Sequence, residues 1–232
     1  MKKQDTIVGL LKRRECQDQS KGLVERYMQP LGEKILVSAD MPLLEFIQND
    51  SLDRLIINGT TIYGLVTRSD LLKLPVFLLG FALVTRIETL MLDMIRSTNV
   101  SNEEWLAWLH PKRKSEIQKE FDRLNSQRSD PDMLELTYFS DKCIILKQLE
   151  VAEKNAPHLL AKSFIEQLKE IKKLRNTVAH TGHSSDDTTN LEEFIERLHT
   201  AHQWIERIEQ WQNDLSQESP HNRLQEITVK MS

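Results

Sequence analysis

Cysteine is nearly missing from this 232-residue chain: Cys16 and Cys143 are the only two, far apart and at no metal-ligand spacing. That argues against a disulfide framework and a cysteine metal site, and suits a reducing compartment. Glycine and proline are scarce, seven of each, which favours long helices over an all-β fold. No apolar run reaches the roughly 20 residues that a bilayer-spanning helix needs. The most apolar stretch, Leu74–Val84 (LPVFLLGFALV), falls short and reads as a buried connection between two domains. The first residues, MKKQDTIVGLLKRRECQ, begin with charge, but their apolar part is too short for a signal peptide. Net charge is -4, so no basic footprint covers the molecule and any nucleic-acid contact has to be local. The expectation is a soluble cytoplasmic protein with no membrane association. Hydrophobic residues at 39% and charged residues at 28% leave enough apolar material for one large or two small cores.

What is present falls into two textures. Up to about Pro75, short β-like runs mix with short helices. Residues 34–38 (KILVS) read as a strand, and Met41–Asn49 as a helix with Leu43, Leu44 and Ile47 on one face. The strand Arg54–Ile57 follows, then Asn58–Gly59, a pair suited to a tight hairpin, then the returning strand Thr61–Thr67. Ser69 and Asp70 are natural N-caps for a helix opening at Leu71. From about Phe81 strand signals stop. Leu83, Ile87, Leu90, Met91, Met94 and Ile95 recur at helical spacing up to Ser97. Ser101–Asn102 before Glu103–Glu104 caps a second helix, interrupted at Pro111, with a thin stripe at Ile117, Phe121 and Leu124. Ser129–Asp130–Pro131 marks a break. Helices follow at 132–152, 157–180 and 188–214, and residues 216–232 form a polar tail. The expected fold is α+β: a βαββα element in residues 1–79 (core 26–75), then an all-α helical bundle in 80–215.

Residues 26–75 resemble a single CBS motif, half of a Bateman nucleotide-sensing module. Met28–Gln29–Pro30 at the entry, Ile35–Val37, Pro42–Ile47, Asp53–Ile57 and Gly64-Leu65-Val66-Thr67-Arg68-Ser69-Asp70-Leu71-Leu72 carry the likeness. The resemblance implies an adenine nucleotide regulator (AMP, ADP, ATP or a relative), with phosphate on the Thr67 hydroxyl and ribose on the Asp70 carboxylate. The chemistry agrees. A carboxylate accepts hydrogen bonds from both ribose hydroxyls, and a helix N-terminus beside it favours phosphate. The bland alternative is that Ser69 and Asp70 only cap a helix. CBS motifs normally act in pairs and this chain has room for one, which predicts a homodimer.

Residues 80–215 resemble the HEPN superfamily, all-helical domains that often dimerise and are often metal-independent ribonucleases. The likeness rests on Lys172-Lys173-Leu174-Arg175-Asn176-Thr177-Val178-Ala179-His180, an Arg-Asn-x-x-x-His string late in the fourth of five expected helices. Asn176 and His180, four apart, share a helix face, so Asn176 is placed to orient the imidazole. Arg175 lies roughly 140° around the axis from His180, but its long side chain still reaches past the helix end. RNA brings its own nucleophile, the 2'-hydroxyl. A near-neutral histidine serves as general base or acid, and an arginine clamps the phosphate with two donors. The expected products are a 2',3'-cyclic phosphate and a 5'-hydroxyl, with no metal and no catalytic cofactor. His183, Lys172 and Lys173 are candidate substrate contacts, and Lys112-Arg113-Lys114 forms a second basic cluster. The bland alternatives are a basic helix C-terminus and solvated helix faces. Trp105, Trp108, Trp204 and Trp211 read as core residues.

The leading expectation is an RNA-cleaving homodimer, paired through both domains and governed by adenine nucleotide. The family likeness adds a toxin or phage-defence role, with an antitoxin or nucleotidyltransferase as partner. The alternative is a non-catalytic nucleotide sensor or protein-interaction scaffold.

Overall fold

The computed structural model describes residues 2–3, 6–11, 26–33, 35–48, 53–127, 130–151, 162–179 and 190–217. The chain is mostly helical, with a small mixed sheet towards its N-terminus. It divides into two compact units, Met1–Val76 and Phe77–Ser232, three residues earlier than the expected border.

In the first unit two short antiparallel pairs come first, β1 (Lys2–Lys3) with β2 (Thr6–Ile7) and β3 (Gly9–Leu10) with β4 (Gln29–Pro30). The main sheet has the order β5 (Leu36–Ser38), β6 (Arg54–Asn58), β7 (Thr61–Val66). Helix α1 (Leu43–Ile47) lies between β5 and β6 in the chain, and such a crossover lets two strands run parallel, as these do. The β6–β7 pair is antiparallel, closed by a turn in which Gly59 takes φ +59°. Asn58 stays in the strand opposite Thr61, so the loop is Gly59–Thr60 and not the expected Asn58–Gly59. Glycine at the first loop position supplies the positive φ without steric cost. Val37, Phe46, Ile47, Leu55, Leu71 and Val76 form the core of this unit.

The expected helix opening at Leu71 is instead a 3-10 turn, Arg68–Leu72, with Thr67 as its cap. Helix α2 (Leu74–Ser97) then starts seven residues before Phe81, where the sequence pattern placed it. Pro75 sits in its first turn, where no N–H is required. Gly80 lies in its interior because the helix runs close to two neighbours there: a Cβ would stand 2.8 Å from Val178 Cγ1 and 3.2 Å from Leu198 Cδ2. The apolar run is therefore a helix with one outward face rather than a buried connection, for Leu74, Leu78 and Phe81 are exposed. By length and mean hydropathy (1.7) α2 matches a membrane span. Yet Ile87, Leu90, Met91, Met94 and Ile95 are at most 1% exposed in the helical unit, each such burial contributing about 2 kcal/mol.

Ser101 caps α3 (Asn102–Ala107) as expected, its Oγ accepting the Glu104 N–H. Pro111 does not merely interrupt this helix. It occupies the first turn of a separate one, α4 (Pro111–Ser126), with His110 as the cap. The expected helix 132–152 is also split. A 3-10 turn, Met133–Leu136, leads through extended Thr137–Tyr138 into α5 (Phe139–Val151). Helices α6 (Lys162–Ala179) and α7 (Leu191–Gln217) complete the unit and pack together, with α6 also against α5. Trp105 and Trp204 are buried as expected. Most of the polar tail, 218–232, lies outside the described residues.

Candidate functional site

Helix α6 buries Leu168, Ile171, Leu174 and Val178, spaced three and four apart. That stripe turns Lys172, Lys173, Arg175 and Asn176 to the exposed side. Lys172 and Arg175, three apart, lie close on the helix surface and line a cleft of about 290 Å3 with Tyr138, Phe139 and Ser140.

The wall opposite is the Leu136–Lys142 segment, and charged groups hold it in place. Asp141 Oδ2 accepts the Tyr138 N–H at 2.8 Å and Arg113 Nε–H at 2.7 Å. A second Arg113 N–H reaches the Leu136 carbonyl at 2.8 Å. The guanidinium also lies 3.6 Å from the centre of the Tyr138 ring. Lys142, almost fully buried, donates to Glu88 Oε1 at 2.9 Å and to the Thr137 carbonyl at 2.7 Å. Burial of such charges is tolerated only when each is paired and hydrogen-bonded, as here.

Among the described arginines of this unit, the one on the cleft differs from the rest. Arg86, Arg96, Arg113, Arg123 and Arg197 each hold a carboxylate. Arg207 lies over the Trp204 ring. Arg175 is the one remaining described arginine of the unit and has no such partner among the described residues. Lys172 likewise has no carboxylate partner among the described residues. Lys173 is different: Glu170 takes its ammonium at 2.6 Å, so it is a weaker substrate candidate than the sequence suggested. The Lys112-Arg113-Lys114 cluster also loses its middle member, since Arg113 is spent on Asp141, Glu116 and the Tyr138 ring. Asn176 is exposed but does not line the cleft. His180 and His183 lie outside the described residues; α6 ends at Ala179, the residue before His180.

In the first unit Asp70 borders a cavity of about 500 Å3, walled by Val37, Phe46, Ile56, Leu65 and Val76, with Lys73 at its polar side. Asp70 Oδ2 accepts both the Thr67 N–H (2.7 Å) and the Thr67 hydroxyl (2.8 Å). Oδ1 meets Lys73 Nζ at 2.5 Å. The lysine bond and these Thr67 bonds hold the carboxyl at about 2, below the ordinary 3.8. With roughly two lone pairs per oxygen, one site remains on Oδ1 for a ligand, and a second only if Lys73 moves away. The Thr67 hydroxyl does not line the cavity and is committed to Asp70. Asp70 thus serves as the reaching-back partner of the Thr67 cap, rather than as the cap of a following helix.

Tyr138 was not singled out from the sequence. The available signal was the adjacent pair Tyr138–Phe139 at a helix start, where neighbours point to different sides. Phe139 is 2% exposed and Tyr138 is 60% exposed. Among the described residues no group of three or more His, Cys, Asp or Glu stands together as a metal site. Compared with known proteins, the chain matches no family model, no curated protein and no solved structure.

Proposed function

We propose that the helical unit is a metal-independent endoribonuclease of HEPN type, active as a homodimer and governed by adenine nucleotide at the N-terminal unit. The observation that carries this reading is Arg175: a guanidinium with no carboxylate partner among the described residues, on a cleft it shares with Lys172 and Ser140, five residues before His180. Arginine without a protein carboxylate keeps its full fork for a phosphate. In the proposed reaction His180 takes the 2'-hydroxyl proton or protonates the departing 5'-oxygen. Arg175 neutralises the charge gathering on the phosphoryl oxygens, and Asn176 orients the imidazole. Asp70 borders the nucleotide site and receives ribose, while Thr67 acts through the bonds it makes to that carboxylate. Dimerisation is supported separately in each unit by exposed apolar residues: Tyr63 and Leu65 in the first, Leu78 and Phe81 in the second. The same patches favour the second reading, a non-catalytic interaction scaffold.

Purified protein incubated with mixed RNA in EDTA decides between them. Cleavage to 2',3'-cyclic phosphate ends, lost in Arg175→Ala and His180→Ala, is expected. Removing one preorganised charge-stabilising donor costs about 100- to 1,000-fold in rate. Equal cleavage by His180→Ala sinks the assignment of the base, and no cleavage by the parent leaves the scaffold reading.

A further inference from the structure

The geometry points to Tyr138 as a stacking platform for a nucleobase, with Lys172 and Ser140 holding the adjoining phosphate, so that the cleft selects single-stranded over duplex RNA. This deepens the nuclease reading and rests on it for the identity of the ligand.

Three observations carry it. First, Tyr138 is 60% exposed on the rim of a cleft, an unusual use of an aromatic residue, which normally hides its large apolar face. Second, the ring is not loose. Arg113 covers one face at 3.6 Å and is itself anchored on Asp141, Glu116 and the Leu136 carbonyl. The Tyr138 backbone is tied to Asp141 as well. The ring is therefore held in one orientation before any ligand arrives, and little side-chain freedom is left to lose on stacking. Since Arg113 takes one face, the exposed area belongs largely to the other. Third, the groups that line the same cleft suit a phosphodiester: Lys172 and Arg175, with no carboxylate partner among the described residues, and the Ser140 hydroxyl.

An aromatic face next to unpaired cations matches the alternation of base and phosphate along one strand, and stacking tolerates any base. A paired base inside a duplex keeps its faces covered by its neighbours and offers only its edges. Among the described residues the polar groups of the cleft are Lys172, Arg175, Ser140 and the Tyr138 hydroxyl, and in this arrangement the first three are taken up by the phosphodiester rather than by base edges. The inference is thus strand-state selectivity with little sequence preference.

The test uses the full chain carrying His180→Ala, titrated into short fluorescein-labelled oligo(A), oligo(U) and a hairpin duplex, read by anisotropy. Tyr138→Ala is expected to weaken both single strands at least about fivefold and leave the duplex unchanged. Tyr138→Phe keeps the affinity, and Tyr138→Trp, with the larger ring, holds or tightens it. The last variant guards against mistaking misfolding for lost stacking. Lys172→Ala weakens every RNA and lowers the salt dependence by about one counterion. Single-strand binding by Tyr138→Ala equal to the parent, or no single-strand binding by the parent, overturns the proposal. So does an equal loss for duplex. If the parent cleaves nothing in EDTA while the Tyr138 dependence holds, the platform stands and the nuclease reading fails. If cleavage occurs and Tyr138→Ala changes neither binding nor rate on single strands, the platform fails and the nuclease reading stands.

Discussion

Glu88→Ala should damage the helical unit far more than Lys142→Met, although the two changes break the same ion pair. The Lys142 side chain is 3% exposed and that of Glu88 29% exposed. Deleting the Glu88 carboxylate leaves an ammonium in the interior with one neutral acceptor, the Thr137 carbonyl. Removing one partner of a buried pair costs about 3 to 5 kcal/mol, and the partial exposure of Glu88 puts this case near 3. Methionine at 142 keeps the length of the stem and removes the charge. What is then left is a Thr137 carbonyl without its donor, about 1 kcal/mol, while Glu88 turns to water. All four tryptophans lie in this unit, so their fluorescence follows its unfolding alone. In urea titrations at neutral pH the two variants should differ by about 2 kcal/mol, the difference of those costs. In thermal scans that is roughly 4 to 8 °C for a unit of this size. The double variant should resemble Lys142→Met, because the stranded charge is gone. A Glu88→Ala protein as stable as Lys142→Met would refute the reasoning: the lysine would then be solvated in place, and the pair would not organise the Thr137–Tyr138 wall.

Other perturbations test the local geometry. Gly80→Val places branched atoms where even a Cβ stands 2.8 Å from Val178 Cγ1, and overpacking of this kind costs about 1 to 3 kcal/mol in the same urea assay. Gly80→Ala should lose less, since its helix propensity returns about 1 kcal/mol; equal stability of parent and valine variant refutes the close approach. Asp70 should titrate at about 2 by carboxyl NMR, and Lys73→Ala should raise that value. A carboxyl depressed in the folded state stabilises above its ordinary value of 3.8, and the contribution disappears as pH falls towards 2. A normal Asp70 titration removes the Thr67–Asp70–Lys73 arrangement. Burial pushes the Cys143 thiol up to about 11, so alkylation at mildly alkaline pH, about 8, should be slow until urea is added. Rapid labelling of Cys143 in the folded protein, told apart from Cys16 by peptide mapping, contradicts the half-buried placement.

Much of the local structure was legible because it depends on neighbours in sequence. The 3.6-residue recurrence from Leu83 to Ile95 marked a buried helix face, and all six of its residues are buried. Ser101 and Gly59 announced a helix start and a hairpin through their own chemistry. The boundaries that failed are those where a distant group decides. Within α2, which starts at Leu74, Gly80 sits against Val178 and Leu198, residues about a hundred positions on. The 3-10 turn and extended step before α5 are held by Arg113 and Lys142, with Arg96 gripping Asp132 and Glu135. Arg113 itself read as a free surface cation beside Lys112 and Lys114, because nothing local shows that Asp141 will meet it 28 positions later.

The sequence by itself determined the two textures, the mostly helical composition of the second unit and the side of α6 that carries Arg175. Periodicity and capping are properties of one segment, and the free energy they carry is local. Only the tertiary structure decided which cations remain free. Ion pairing depends on side chains brought within about 4 Å across elements. In that sorting Arg113 and Lys173 found carboxylates, while Lys172 and Arg175 found none among the described residues and line the cleft with Tyr138.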